Sequence, residues 1–228
     1  MNARAAGIAA STLATALTLA SVAWALDLAL WLRLDIYPAQ FYAAMLALAL
    51  PLAFLTLPAR RKAPRPAVPW YDLVLALAGF GAVAYLTWQY QALVDLIVLR
   101  PRDGVIAGAI AIVLSLEALR RATGRTLPAI AAVFIAYALW GDALPGDLAA
   151  RSTDWQTLTA YLALDVNGVL GLPLAVASTI VLAFLLFGEL LNASRGTRFF
   201  TDIAMLAMGR FRGGPAKMAV VGSALFGS

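Results

Sequence analysis

The chain has 228 residues, 63% of them hydrophobic and 13% charged, where soluble domains carry roughly 45–50% and about 25%; its mean hydropathy is +0.85. That composition leaves too little polar surface for a soluble fold, and the lack of cysteine and histidine removes disulfides, zinc–thiolate sites, thiol catalysis and imidazole chemistry. The net charge of +5 sits between apolar runs, which points to membrane topology and away from nucleic-acid binding.

Six stretches approach the ~20 apolar residues that a helical crossing needs: about 8–32, 38–57, 71–90, 104–119, 127–144 and 168–191. Barrel strands alternate over about ten residues, and these unbroken Ala/Leu/Val runs are far longer. The expected fold is therefore all-α and polytopic, with about six transmembrane helices plus amphipathic interfacial ones. The first stretch follows Arg4, and its Ala23-Trp24-Ala25 pattern fits a cleavable signal peptide. Its apolar run continues to Leu34, longer than a signal core, so a retained helix is preferred. Asp27 lies near the outer end of that stretch between Trp24 and Trp31. A solvated interfacial carboxylate is preferred there over a functional intramembrane acid.

The segment from Pro58 to Pro69, with Arg60, Arg61, Lys62 and Arg65, is too polar and proline-rich to stay helical in lipid. Gly104 and Gly108 form a small-xxx-small pattern that favours close helix packing. Glu117 precedes Arg120 and Arg121 by three and four residues, the spacing of a helix-surface ion pair, which we prefer to a proton carrier. Gly141 to Trp155 is a polar segment holding Pro145, Asp142, Asp147 and Asp154. Asp154 to Leu164 reads as an outer amphipathic helix anchored by Trp155 and Tyr161. Glu189 follows the apolar run Ile180–Gly188 and has two readings, a helix-end carboxylate packed on a neighbour or an intramembrane functional acid. The sequon Asn192-Ala193-Ser194 falls on the inner side and reads as chance. From Gly196 to Arg210, Phe199, Phe200, Ile203, Ala204, Leu206 and Ala207 recur at helical spacing, interleaved with Arg198, Asp202 and Arg210. This is an amphipathic helix for the inner interface, with Arg198 and Asp202 as an ordinary i,i+4 pair. Gly213-Gly214-Pro215 reads as a helix break in preference to an anion nest.

Basic residues orient the spans. With the N-terminus inside, the inner segments hold Arg4, Arg60, Arg61, Lys62, Arg65, Arg120, Arg121, Arg125, Arg195, Arg198, Arg210, Arg212 and Lys217. The outer ones hold Arg33, Arg100, Arg102 and Arg151. The positive-inside rule therefore places the N-terminus in the cytoplasm.

Several blocks also carry a family likeness: Arg65-Pro-Ala-Val-Pro-Trp70-Tyr71-Asp72, Leu116-Glu117-Ala-Leu-Arg120-Arg121-Ala-Thr-Gly124, Asn167-Gly168-Val-Leu-Gly171-Leu-Pro173, Phe184-Leu-Leu-Phe187-Gly188 and Phe199-Phe200-Thr-Asp202. The most specific are Gly209-Arg210-Phe-Arg212-Gly213-Gly214-Pro215-Ala216-Lys217 and Ser223-Ala-Leu-Phe226-Gly227. From about residue 38 onward the chain resembles the fused permease of tripartite ATP-independent periplasmic (TRAP) transporters. The resemblance implies a small-subunit-like four-helix region at 1–125, a connecting helix and outer loop at 126–165, and the start of the large, DctM-like subunit at 166–228. It further implies a non-enzymatic, sodium-driven, binding-protein-dependent secondary transporter for organic anions in the bacterial inner membrane. No cofactor beyond Na+ as coupling ion, no catalytic residue and no metal ligand is expected. The implied partners are a periplasmic substrate-binding protein (TAXI type), the remainder of the large subunit and the bilayer, with no nucleic acid. In the family a Ser/Gly-rich hairpin that helps build the ion and substrate site follows the Ser-Ala-Leu-Phe-Gly block. The chain is accordingly expected to be the scaffold part of a truncated permease, and Ser228, at the edge of that motif, is the one substrate- or ion-binding candidate. The competing reading is a non-transporting integral membrane assembly or interaction protein.

Overall fold

A computed structural model describes residues 2–59, 67–97, 99–208 and 220 of the chain. Among these the regular structure is helical, and an isolated antiparallel bridge joins Asn2 to Ala67. Contacts divide the chain into two units, Met1–Ile180 and Val181–Ser228.

The first unit holds α1 (Ala3–Ala25), α2 (Leu28–Trp31), α3 (Pro38–Thr56), α4 (Trp70–Trp88), α5 (Tyr90–Asp95), α6 (Arg102–Thr123), α7 (Thr126–Trp140), α8 (Trp155–Leu164) and α9 (Leu172–Val176). Its core is built where α3, α4 and α6 meet, from Ala43, Ala47, Leu50 and Phe54, Ala76, Val83 and Leu86, and Ala107, Ala111 and Leu114. The alanines matter because small side chains let helix backbones approach in a solvent where burial alone does not drive association. Gln40 adds a polar tie, its Nε2 donating to the Thr87 carbonyl at 3.0 Å.

Five helical segments among the described residues are long and apolar enough to cross a membrane: Arg4–Ala25, Pro38–Thr56, Trp70–Trp88, Thr126–Ala143 and Leu172–Ala193. The chain is a multi-pass membrane protein. The remaining expected stretch lies on α6, which has 22 residues and thus the ~30 Å length of a crossing. It carries charge at both ends, Arg102 and Asp103 at one, Glu117, Arg120 and Arg121 at the other.

Two boundaries differ from the sequence reading. The 8–32 stretch is not one helix: α1 stops at Ala25, and Asp27 adopts a left-handed conformation (φ 52°) before the short α2. Asp and Asn tolerate that conformation better than most residues. Asp27 is exposed and lies two residues beyond the apolar segment Arg4–Ala25. The Trp24 ring stacks on Phe41 at 4.2 Å and 6°, tying the last turn of α1 to α3. The 168–191 stretch begins its helix only at Leu172. Before it, the Asp165 carboxylate accepts from the Asn167 backbone and side-chain amides at 2.8 and 2.9 Å, an Asx turn. A Cβ on Gly168 would lie 2.5 Å from the Leu162 carbonyl oxygen, so glycine is needed where the chain doubles back. The turn inserts Leu170 into the core.

In the second unit, α10 (Leu182–Ala193) and α11 (Gly196–Met208) are joined through Arg195 at φ 60°. The expected amphipathic helix is thus present as α11, with Arg198, Phe199, Asp202, Ile203 and Leu206 all exposed. Glu189 is exposed on α10. The basic residues at 60–66, the Gly209–Lys217 block with its Gly-Gly-Pro break, Ser223–Gly227 and the candidate Ser228 lie outside the described residues.

Candidate functional site

The densest polar chemistry among the described residues lies at the C-terminal end of α6. A helix repeats every 3.6 residues, so Glu117, Arg120 and Arg121 share one face at i, i+3 and i+4. The helix dipole favours the two cations in its last turn. Arg120 grips Glu117 with two parallel bonds, Nε to Oε2 and Nη2 to Oε1, both 2.7 Å. Arg121 Nε reaches the Oε1 atom as well, at 2.8 Å. With both carboxylate oxygens accepting from guanidinium groups, Glu117 is the ion-pair anchor that its spacing indicates.

Sequence reasoning missed the other half of the cluster. Arg121 turns inward, its Nη1 standing 2.7 Å from Asp72 Oδ1, and the two side chains are 2% and 1% exposed. Asp72 sits in the first turn of α4, where a helix N-terminus favours an anion. The available signal was a lone carboxylate opening an otherwise apolar helix. Its partner, 49 positions away, could not be chosen without the fold. The Arg121 guanidinium also lies 4.9 Å from the centre of the Phe54 ring, a cation–π distance. Its Nη1 donates to the Leu57 carbonyl at 3.2 Å, and Arg120 Nη2 donates to the Ala59 carbonyl at 3.3 Å. Two carboxylates thus meet two guanidiniums, and the pair of cations closes the orphan carbonyls after α3. The cluster fastens the ends of α3 and α6 to the start of α4. Ala6, Leu55 and Val68 form a small apolar cluster, and with the Asn2–Ala67 bridge they bring the N-terminus to this same end.

The opposite end of α6 is held by shape. A Cβ on Gly108 would stand 2.8 Å from the Ala163 Cβ of α8, and one on Gly104 would stand 2.7 Å from Leu93 Cδ2 of α5. The small-xxx-small pattern therefore serves two close contacts. The amphipathic helix expected at 154–164 is α8, and it packs Ala160, Ala163 and Leu164 inward while Trp155 and Tyr161 remain half-exposed. Arg100 pairs with Asp154 at 2.7 Å and with the Thr157 hydroxyl at 2.9 Å. The Tyr90 hydroxyl donates to the Leu164 carbonyl at 3.4 Å. Burial, and secondarily the Asp165 charge, raise the Tyr90 phenol above its ordinary pKa.

A family model described as the tripartite ATP-independent periplasmic transporter, DctM component, matches residues 110–228, just over half of the chain. The chain belongs to the DctM family. No curated protein and no solved structure matches it. The matched region of this DctM-family chain opens inside α6, so it takes in Glu117, Arg120 and Arg121, whereas their partners Asp72 and Phe54 precede it. It also covers α7 to α11. Membership makes the chain a permease component of a TRAP-type transporter. Among the described residues no group of three or more Asp, Glu, His or Cys is placed to hold a metal ion.

Proposed function

We propose that residues 1–228 form the scaffold-side part of a sodium-driven, binding-protein-dependent permease that imports organic anions across the bacterial inner membrane. The family match over 110–228 carries this reading. In it, residues 1–125 are a fused small-subunit-like region and a TAXI-type periplasmic protein delivers the solute. The end of the bundle that holds the Asp72–Arg121–Glu117–Arg120 cluster faces the cytoplasm, the side that the basic residues favour. Two features support a static role. The buried ions join three helix ends, and the described spans of residues 1–125 are regular helices, without the broken helices near the midplane from which transporters build ion and solute sites.

The test is reconstitution of the permease that carries these residues, with its binding protein, in proteoliposomes under an inward sodium gradient. Uptake of labelled carboxylates should require both the gradient and the binding protein. Uptake that persists after the gradient is collapsed, or without the binding protein, overturns the assignment.

A further inference from the structure

Residues 26–37 join two crossing segments, Arg4–Ala25 and Pro38–Thr56. They sit at the bundle end opposite the charge cluster, because α3 starts beside them and finishes at Phe54 and Leu57, which meet Arg121. Large apolar side chains in a connection ordinarily turn into the core. Here they do not. Leu30, Trp31 and Leu32 are 73%, 83% and 68% exposed, and no residue from 26 to 37 is buried. The backbone behaves in the opposite way. Each amide of residues 30–34 donates to a carbonyl three to five positions earlier, at 2.9–3.2 Å, and those of Leu26 and Asp27 donate to the Val22 and Trp24 carbonyls at 3.0 Å. Asp27 (φ 52°) and Arg33 (φ 55°) bracket the turn that closes these bonds. In water an open amide is served by solvent at little cost, whereas lipid demands that the chain satisfy it internally. Bare apolar side chains on a self-satisfied backbone are the pattern of a segment surrounded by lipid.

A second observation sets its level. Gln40, in the first turn of α3, bonds the Thr87 carbonyl, so α4 finishes at this same end with Trp88, 84% exposed. Tryptophan concentrates at the membrane–water boundary, and Trp31 and Trp88 both stand bare there.

We infer that residues 26–37 form a lipid-surface anchor, seated in the headgroup–acyl boundary of the leaflet they face, with the bilayer's own phospholipids as its partner. A protein-docking patch presents an apolar centre inside a polar rim; this turn is apolar on all sides, and Asp27, Arg33 and Asp35 flank it at its two ends to meet headgroups and water. The anchor fixes the depth of the last turn of α1, where Trp24 stacks on Phe41. It acts whatever solute the permease carries.

The chain has no cysteine, so single spin labels can be placed at L30C and W31C, with L19C in the crossing part of α1 and D147C in the polar 141–155 segment as references; all four positions are exposed. Power-saturation electron resonance on the full chain, in nanodiscs of phosphatidylethanolamine and phosphatidylglycerol, compares collisions with oxygen, which concentrates in lipid, and with a water-soluble nickel chelate. At L30C and W31C the oxygen-to-nickel ratio should be several-fold above that at D147C and approach that at L19C. Adding L28D with L32D should lower the ratio at W31C several-fold, by driving the turn into water. A ratio equal to that at D147C puts the turn in water, and few collisions with either reagent put it under protein; either result overturns the inference, as does a ratio that the two aspartates leave unchanged.

Discussion

Replacing Arg121 with methionine tests whether the charge cluster holds the bundle together. The side chain is 2% exposed and faces Asp72, itself 1% exposed, at 2.7 Å. Methionine keeps much of the length and the apolar contact with Phe54 but takes away the guanidinium that balances the carboxylate. Removing one member of a buried ion pair costs about 3–5 kcal/mol, because a charge remains in a medium that solvates it poorly. That is a change of two to nearly four decades in the unfolding equilibrium, at roughly 1.36 kcal/mol per decade. Replacing both partners, D72L with R121M, removes the penalty with the charge, and buried pairs exchanged for apolar side chains often come out neutral or better. Glu117 stays neutralised in the double variant through its two 2.7 Å bonds to Arg120. The double variant should therefore lie within about 2 kcal/mol of the parent, well above the single. Unfolding by SDS titration in mixed micelles, followed by tryptophan fluorescence, measures all four corners of the cycle. A single variant costing less than about 1 kcal/mol, or a double no better than R121M, refutes the claim that these charges are mutually dependent.

Three further outcomes follow from the same structure. G108A should destabilise by about 1–3 kcal/mol, because its methyl meets the rigid Ala163 side chain at 2.8 Å, while G104A should cost less, meeting the movable end of Leu93; equal costs in SDS titration would contradict the close approach of α6 and α8. Cysteines at Arg125 and Asp147 should react with a membrane-impermeant maleimide from opposite faces of oriented vesicles, with Asp147 outside; same-side reaction would reverse the topology. Because the folded pKa of Tyr90 is raised above 10.0, its contribution to stability is full below about pH 10 and is lost as pH rises through the folded value; Y90F should flatten that alkaline loss in a denaturation series at pH 9–11.

The spans were legible because lipid demands long apolar runs, and Ala/Leu/Val stretches of about 20 residues admit few alternatives. Glu117 with its two arginines was legible for a local reason: three- and four-residue spacing fixes a contact on any helix. Asp72 was not, since only the packing of α4 on α6 and α3 decides which cation meets it. The break at Asp27 was also hidden. Composition continues apolar through Leu28–Trp31, and the stop comes from a left-handed backbone turn and the stacking of Trp24 on Phe41, neither of which leaves a mark in hydropathy. The same holds for the π turn at Ala177–Val181, where Ser178 and Thr179 look like ordinary small polar residues in a span.

The two ends of α6 are secured by opposite kinds of chemistry, and that contrast bears on which parts of the chain can move. At one end two arginines, both paired with Glu117, engage Asp72 and the carbonyls of Leu57 and Ala59. At the other, bare Gly108 backbone lies against Ala163 with no room for a methyl group, and Gly104 lies against the movable end of Leu93. Sliding α6 along its axis would strip buried charges of their partners at the first end and drive side chains into backbone at the second. Neither penalty can be relieved without incurring the other. The helix is therefore fixed in both translation and rotation, and α3, α4, α5 and α8, which touch its fixed ends, are fixed with it.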